Sequence, residues 1–166
     1  MVTFLLIIIG VLVLGITIII YSSVDDIVKQ RERSMSFRES INLLGMPLVT
    51  FENNGKILTF LLDTGSNSNI IDSNIIEQIM CNPIDGKSEC CGIEGSKSIQ
   101  SMCIIEISYK SQKFMDEFII RDMSGPFGII KKQRGFTVNG ILGSNFFNKY
   151  KYMLDFNEMI AYTAKG

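Results

Sequence analysis

No histidine occurs among the 166 residues, and that absence removes a great deal of chemistry. A Ser-His-Asp triad, a Cys-His pair and a zinc site built on imidazole are all excluded within one chain. Carboxylates are left as the leading acid and base for any hydrolase of this sequence. Cysteine comes next, but Cys81, Cys90, Cys91 and Cys103 are separated by eight, zero and eleven residues, not by the C-x-x-C spacing of a structural zinc knuckle. They read as buried thiols, although in a secreted domain the same four would allow two disulfides. An excess of charge is missing as well. With 16 Lys+Arg against 17 Asp+Glu the formal net charge is −1, which gives no electrostatic footprint for nucleic acid. There is no internal repeat and no low-complexity tract.

What the chain has in excess is hydropathy, and it is concentrated. The mean hydropathy is +0.26 with 46% hydrophobic residues, yet Met1 to Tyr21 (MVTFLLIIIGVLVLGITIIIY) holds no charge at all and the remainder has ordinary globular polarity. As a helix, Val2 to Tyr21 is about 30 Å long at roughly 1.5 Å per residue, the thickness of the hydrocarbon core of a bilayer. No Lys or Arg precedes it and ITIIIYSS offers no A-x-A cleavage site, so residues 1–21 are expected to be an uncleaved single-pass transmembrane helix rather than a signal peptide. Lys29, Arg31, Arg33 and Arg38 follow the span, and the positive-inside rule then places the C-terminal part in the cytoplasm. Residues 22–45 read as a polar, partly helical linker, with a single domain over 46–163.

From Pro47 the apolar runs become short and are punctuated by turn residues, the pattern of an all-β domain with short helices. Leu48 to Phe51 and Lys56 to Leu62 flank Asn53, Asn54 and Gly55, which tolerate the positive φ of a tight hairpin. Ser73 or Asn74 is expected to cap a short helix through Met80, with Ile75, Ile76 and Ile79 on one face. Ser101 to Tyr109 and Gln112 to Ile120 form a second hairpin across Lys110 and Ser111. Gly140 to Gly143 reads as a buried strand, and Ser144 or Asn145 starts a helix through Tyr150. Met153 to Phe156 and Met159 to Tyr162, around Asn157 and Glu158, make a third hairpin.

One carboxylate stands apart. In LLDTGS, Asp63 comes directly after an apolar strand, where a carboxylate is open to desolvation and tuning. Gly65 permits a sharp turn and the close approach of another backbone, while Thr64 and Ser66 supply hydroxyls to orient the acid. The wider context strengthens the signal: LLDTGSNSNII from Leu61 to Ile71, then CGIEGS from Cys91 to Ser96, then NGILGSNFF from Asn139 to Phe147. This ordered trio resembles the retropepsin-like aspartic proteases, whose mark is a strand ending in Asp-Thr/Ser-Gly-Ser/Ala, a glycine-rich flap, and a later apolar strand with glycine leading into a helix. The likeness covers nearly all of Pro47 to Tyr162.

The resemblance implies a retropepsin-like protomer, a closed barrel-like β fold. It also implies an aspartic endopeptidase acting as a homodimer on peptide or protein substrates, with no metal and no organic cofactor. Asp63 from each protomer would form the catalytic pair. Thr64 would bond across the dimer, Gly65 would let the two loops approach, and Ser66 would hydrogen-bond the carboxylate. Gly92, Ile93, Glu94 and Gly95 would form the flap over the substrate, and Ile141, Leu142 and Gly143 would pack behind the catalytic loop. Since no second Asp-Thr/Ser-Gly occurs, both acids cannot come from one chain. Two departures from the family pattern stand out: Glu94 puts a carboxylate at the flap tip, and Ser144 with Asn145 takes the place where relatives often carry a charge. A non-catalytic module of the same fold, one that holds an extended peptide without cutting it or serves dimerisation alone, is the alternative.

Overall fold

Asn54 and Gly55 sit at φ 46° and 82°, the two positive values that a two-residue hairpin matched to the right-handed strand twist requires. They join β1 (Leu48–Asn53) to β2 (Lys56–Leu62), in register from Leu48↔Leu61 to Asn53↔Lys56. The computed structural model of the chain describes residues 13–17, 35–91 and 97–163, apart from the side chains of 85–91 and 97–100. The remaining strands are β3 (Ile70–Asp72), β4 (Asn82–Cys91), β5 (Lys97–Tyr109), β6 (Gln112–Arg121), β7 (Gly140–Leu142), β8 (Tyr152–Asp155) and β9 (Ile160–Thr163). Seven of them form one sheet in the order β1-β2-β7-β3-β6-β5-β4, and a further β1–β5 pairing at Glu52↔Ser108 closes it on itself. The sheet is mixed: β7 runs parallel to β2 and antiparallel to β3, while β3 runs parallel to β6.

The strand periodicity builds the core. In β2 every second residue, Leu58, Phe60 and Leu62, is buried, as a half-covered strand requires. These meet Phe51 of β1, Cys103, Ile105 and Ile107 of β5, and Phe114 and Phe118 of β6 in the larger of two clusters. Burying one such phenylalanine stabilises the fold by roughly 1.5–3 kcal/mol. The short central strands are covered on both faces. Ile71 and Leu142 face the larger cluster, whereas their neighbours Ile70 and Ile141 join Met35, Leu44, Leu48, Met123, Phe127 and Val138 in the second. Such doubly covered strands read as continuous apolar runs rather than alternation.

Among the described residues, three α-helices pack on this sheet. The first, α1 (Phe37–Leu44), is capped by the Ser36 hydroxyl, which accepts from the Glu39 amide at 3.3 Å, and ends at Gly45 with φ 66°. Phe37, Ser40 and Leu44 turn inward, Phe37 meets Phe156 edge-on at 5.3 Å, and the Met35 amide donates to Thr50 Oγ1 at 2.7 Å. The compact unit accordingly begins at Ser34, so the structure packs against the sheet a stretch that its polarity assigns to the linker. The second helix, α2 (Ser124–Arg134), lies where the sequence pattern gives no element. Gly125, Pro126 and Gly128 hide it, while Phe127 anchors it and Gly135 at φ 74° ends it. Gly128 is exposed with nothing within 4 Å of a would-be Cβ. Gly128→Ala is expected to raise stability by roughly 0.5–1 kcal/mol through helix propensity; a lower urea midpoint would contradict this.

Two boundaries differ from the sequence reading for local reasons. The short helix after β3 is a 3-10 helix, Ser73–Gln78, and its cap is Asp72, whose side chain accepts from the Asn74 amide at 3.2 Å. The loop of the last hairpin is one residue longer on each side than Asn157 and Glu158 suggest, with Asp155↔Ile160 as its final pair. Asp155 Oδ1 accepts from the amides of both Asn157 and Glu158 at 2.9 Å, which widens the loop, and Met159 takes φ 54° to close it. The third helix, α3 (Ser144–Tyr150), follows β7 as expected.

Among the described residues no helix is long and apolar enough to cross a membrane. The expected transmembrane helix lies outside them except at residues 13–17, which are helical with Val13, Leu14 and Ile16 exposed.

Candidate active site

Asp63 is the residue at which β2 leaves the sheet. Its amide still donates to Leu142 O at 3.0 Å, continuing the parallel pairing of β2 with β7. The chain then turns sharply: the Ser66 amide donates to Asp63 O at 3.2 Å, and the Gly65 amide donates to Asp63 Oδ1 at 2.9 Å. The carboxylate is thus aimed by a backbone amide two residues on. Asp63 is half-buried, while Thr64 and Gly65 are exposed. A Cβ on Gly65 would lie 3.2 Å from Asp63 Oδ1, so any larger residue presses on the acid. Thr64, next to the acid in sequence, lies on an open surface.

The Ser66 hydroxyl does something other than the sequence suggests. It donates to Ser68 O at 2.7 Å and accepts from the Ser68 amide at 3.4 Å, stiffening the loop instead of bonding the carboxylate. Its backbone oxygen accepts from the Ser144 amide at 2.7 Å. Ile141 and Leu142 are buried behind the loop, and Gly143 is pressed against it so closely that a Cβ would stand 2.5 Å from Ser68 O and 2.8 Å from Ser66 O. The two sequence segments LLDTGS and ILGS are therefore in direct contact. Gly92, Ile93, Glu94 and Gly95 lie outside the described residues; on either side of them β4 and β5 remain paired as far as Cys91↔Lys97.

Two amides that the sequence reading passes over hold this arrangement. Asn139 Oδ1 accepts from the Thr59 amide at 2.9 Å, fixing β7 against β2. Asn69, only 3% exposed, joins the loop to β7 and β6. Its one sequence signal is an amide placed directly before the apolar pair Ile70 and Ile71, which also fits a surface turn.

Among the described residues no group of three or more Cys, Asp or Glu is placed to hold a metal ion. Cys81 and Cys103 are free, half-buried and buried respectively. Burial pushes the Cys103 thiol up to about 12, with the neighbouring Cys81 adding to the shift, so at neutral pH it is a protonated apolar group and no nucleophile.

No family model matches the chain, and no curated protein matches it. Solved structures do. The chain is similar to the EIAV protease in complex with an inhibitor, at 17% identity and a TM-score of 0.50, over 69% of this chain and 96% of that one. It is also similar to the retroviral protease-like domain of Ddi1 from Leishmania major, at 13% identity and a TM-score of 0.49, over 71% of this chain and 86% of that one. The foamy viral protease-reverse transcriptase bound to an RNA/DNA hybrid matches at 16% identity and a TM-score of 0.43, over 63% of this chain and 12% of that one. At the identity of the EIAV protease, what is shared is the retropepsin-like fold.

Proposed function

We propose that the chain is a membrane-anchored, homodimeric aspartic endopeptidase whose two Asp63 carboxylates activate a water for attack on a peptide carbonyl. The observation that carries this reading is the position of Asp63: a half-buried carboxylate at the end of β2, held by the Gly65 amide at 2.9 Å and braced from behind by β7, within a retropepsin-like fold.

The chemistry follows from pairing. Two carboxylates a few ångströms apart cannot both ionise cheaply, so the pair shares one proton over a working pH range. The charged member takes a proton from the water as it attacks, and the protonated member gives one to the carbonyl oxygen. One protomer carries one such acid, so activity requires two chains. The exposed Thr64 and the absence of a side chain at Gly65 suit the approach of a second, identical loop. Gly92 to Gly95 would close over an extended substrate and exclude water. No metal or organic cofactor enters the reaction.

The uncharged run Met1–Tyr21 supports the anchor. Holding protomers in one bilayer raises their effective concentration, so a weak dimer assembles without any new contact, and the basic residues after the span favour a cytoplasmic domain. The test uses the full chain in vesicles, incubated with an unfolded protein from acid to neutral pH, with products identified by mass spectrometry. Cuts are expected, with a specific rate that rises with protomer density as dimers form. A folded, dimeric chain that releases no product at any pH would overturn the proposal.

A further inference from the structure

Leu142, Gly143 and Ser144 each send one backbone group into the Asp63 loop, and the middle one is received by a side chain. The Leu142 carbonyl accepts from the Asp63 amide at 3.0 Å and the Ser144 amide donates to Ser66 O at 2.7 Å. Between them the Gly143 amide donates to Asn69 Oδ1 at 3.0 Å, a buried bond spanning 74 residues of sequence. The other end of the same side chain is also used, since Asn69 Nδ2 donates to Glu117 O at 3.1 Å. The Asn69 backbone oxygen accepts from the Ile119 amide at 2.9 Å. One residue thus ties the loop after β2 to the end of β7 and to β6.

We infer that Asn69 is a positioning residue, locking the loop that aims the Asp63 carboxylate onto β7; this rests on the peptidase reading above. The side-chain type follows from the partners. An acceptor and a donor must leave one planar group in opposite directions, toward a backbone N–H and a backbone C=O, and a side-chain amide supplies both. Leucine in its place would leave the Gly143 N–H and the Glu117 carbonyl unpaired in the interior. Asn69 touches no reacting atom, but the loop it holds does. The Gly65 amide that orients Asp63 Oδ1 lies in the same turn as Ser66 and Ser68, so freedom at the Asn69 end reaches the acid through a few bonds.

The experiment compares the full-chain wild type, Asn69→Leu and Asn69→Asp by kcat and KM for peptide cleavage across pH, and by hydrogen exchange of the Gly143 amide. Asn69→Leu is expected to lower kcat about 10²-fold, the effect of displacing a reacting group by an ångström, with KM nearly unchanged and faster exchange at Gly143. Asn69→Asp is expected to behave differently with pH. Protonated, the introduced carboxyl reproduces both bonds; ionised, it loses its donor and faces the Glu117 carbonyl. The Asp63 pair is common to every variant, the Glu117 side chain is exposed and Asp116 is held by Lys149 at 3.2 Å, so the informative quantity is the ratio to wild type at each pH. That ratio should fall as pH rises. Unchanged kcat, a loss confined to KM, or wild-type exchange at Gly143 in both variants would overturn the inference. A wild type that cuts nothing would count against the peptidase reading instead, and exchange at Gly143 would then decide the clamp by itself.

Discussion

Asp63→Asn is expected to lower the cleavage rate by roughly 10⁴-fold or more, because it removes the group proposed as both general base and general acid from each half of the pair. The fold should be untouched. Asparagine keeps Oδ1, so the bond from the Gly65 amide at 2.9 Å survives, and the half-buried position tolerates a neutral isostere with a stability change within about 0.5 kcal/mol. Urea unfolding of both proteins separates loss of chemistry from loss of structure. Co-expression makes the test sharper. If wild type and variant, made in equal amounts, mix freely in a two-fold dimer, about one quarter of the dimers retain two carboxylates, so activity per wild-type chain should fall by about half. Full activity in Asp63→Asn would remove Asp63 from the mechanism, and unaffected wild-type chains in the mixture would remove the shared pair.

The largest effect on stability is expected at Gly143. Its backbone is extended, at φ −92° and ψ −178°, a conformation any residue adopts, so the demand for glycine is spatial. A Cβ would stand 2.5 Å from Ser68 O, 2.8 Å from Ser66 O and 2.8 Å from the Ser68 carbonyl carbon. All three are backbone atoms, which cannot swing aside as a side-chain tip would. To make room, the 66–68 loop must move away from β7, and that breaks the bonds of Ser66 O to the Ser144 amide and of Asn69 Oδ1 to the Gly143 amide. Gly143→Ala is therefore expected to destabilise the fold by roughly 3 kcal/mol or more, the upper end for overpacking, and to depress cleavage in whatever folded protein remains. Gly128→Ala is the contrasting case, the same substitution in open space with the opposite sign. A Gly143→Ala protein whose unfolding midpoint matches wild type would show that the loop yields easily and that its fit behind Asp63 is loose.

Several elements are legible from the residues alone because their causes are local. Asn54 and Gly55 accept positive φ wherever they stand. The alternation of Leu58, Phe60 and Leu62 already says which face of β2 is covered. Elsewhere local signals mislead. Pro126 and two glycines conceal α2, which forms because Phe127 finds a place beside Met123 and Val138. Residues 35–44 look like a polar linker until Phe37 and Leu44 have a sheet to bury against.

The lack of histidine, the isolated Asp-Thr-Gly-Ser after an apolar strand and the order of the three motifs are properties of the sequence by itself. They limit the acid–base groups and single out Asp63, because residue type and near-neighbour spacing require no fold to be read. Tertiary structure alone decided that the Ser66 hydroxyl serves the loop instead of the carboxylate. It also decided that Gly143 has no room for a methyl group, and that Asn69, alike in sequence to the exposed Asn67, is buried and bonded on both sides. Each of these depends on contacts such as the one between Asn69 and Gly143, 74 residues apart. Hydrogen-bond direction and close packing at that separation are set when β7 enters between β2 and β3, and short-range patterning carries no record of that event.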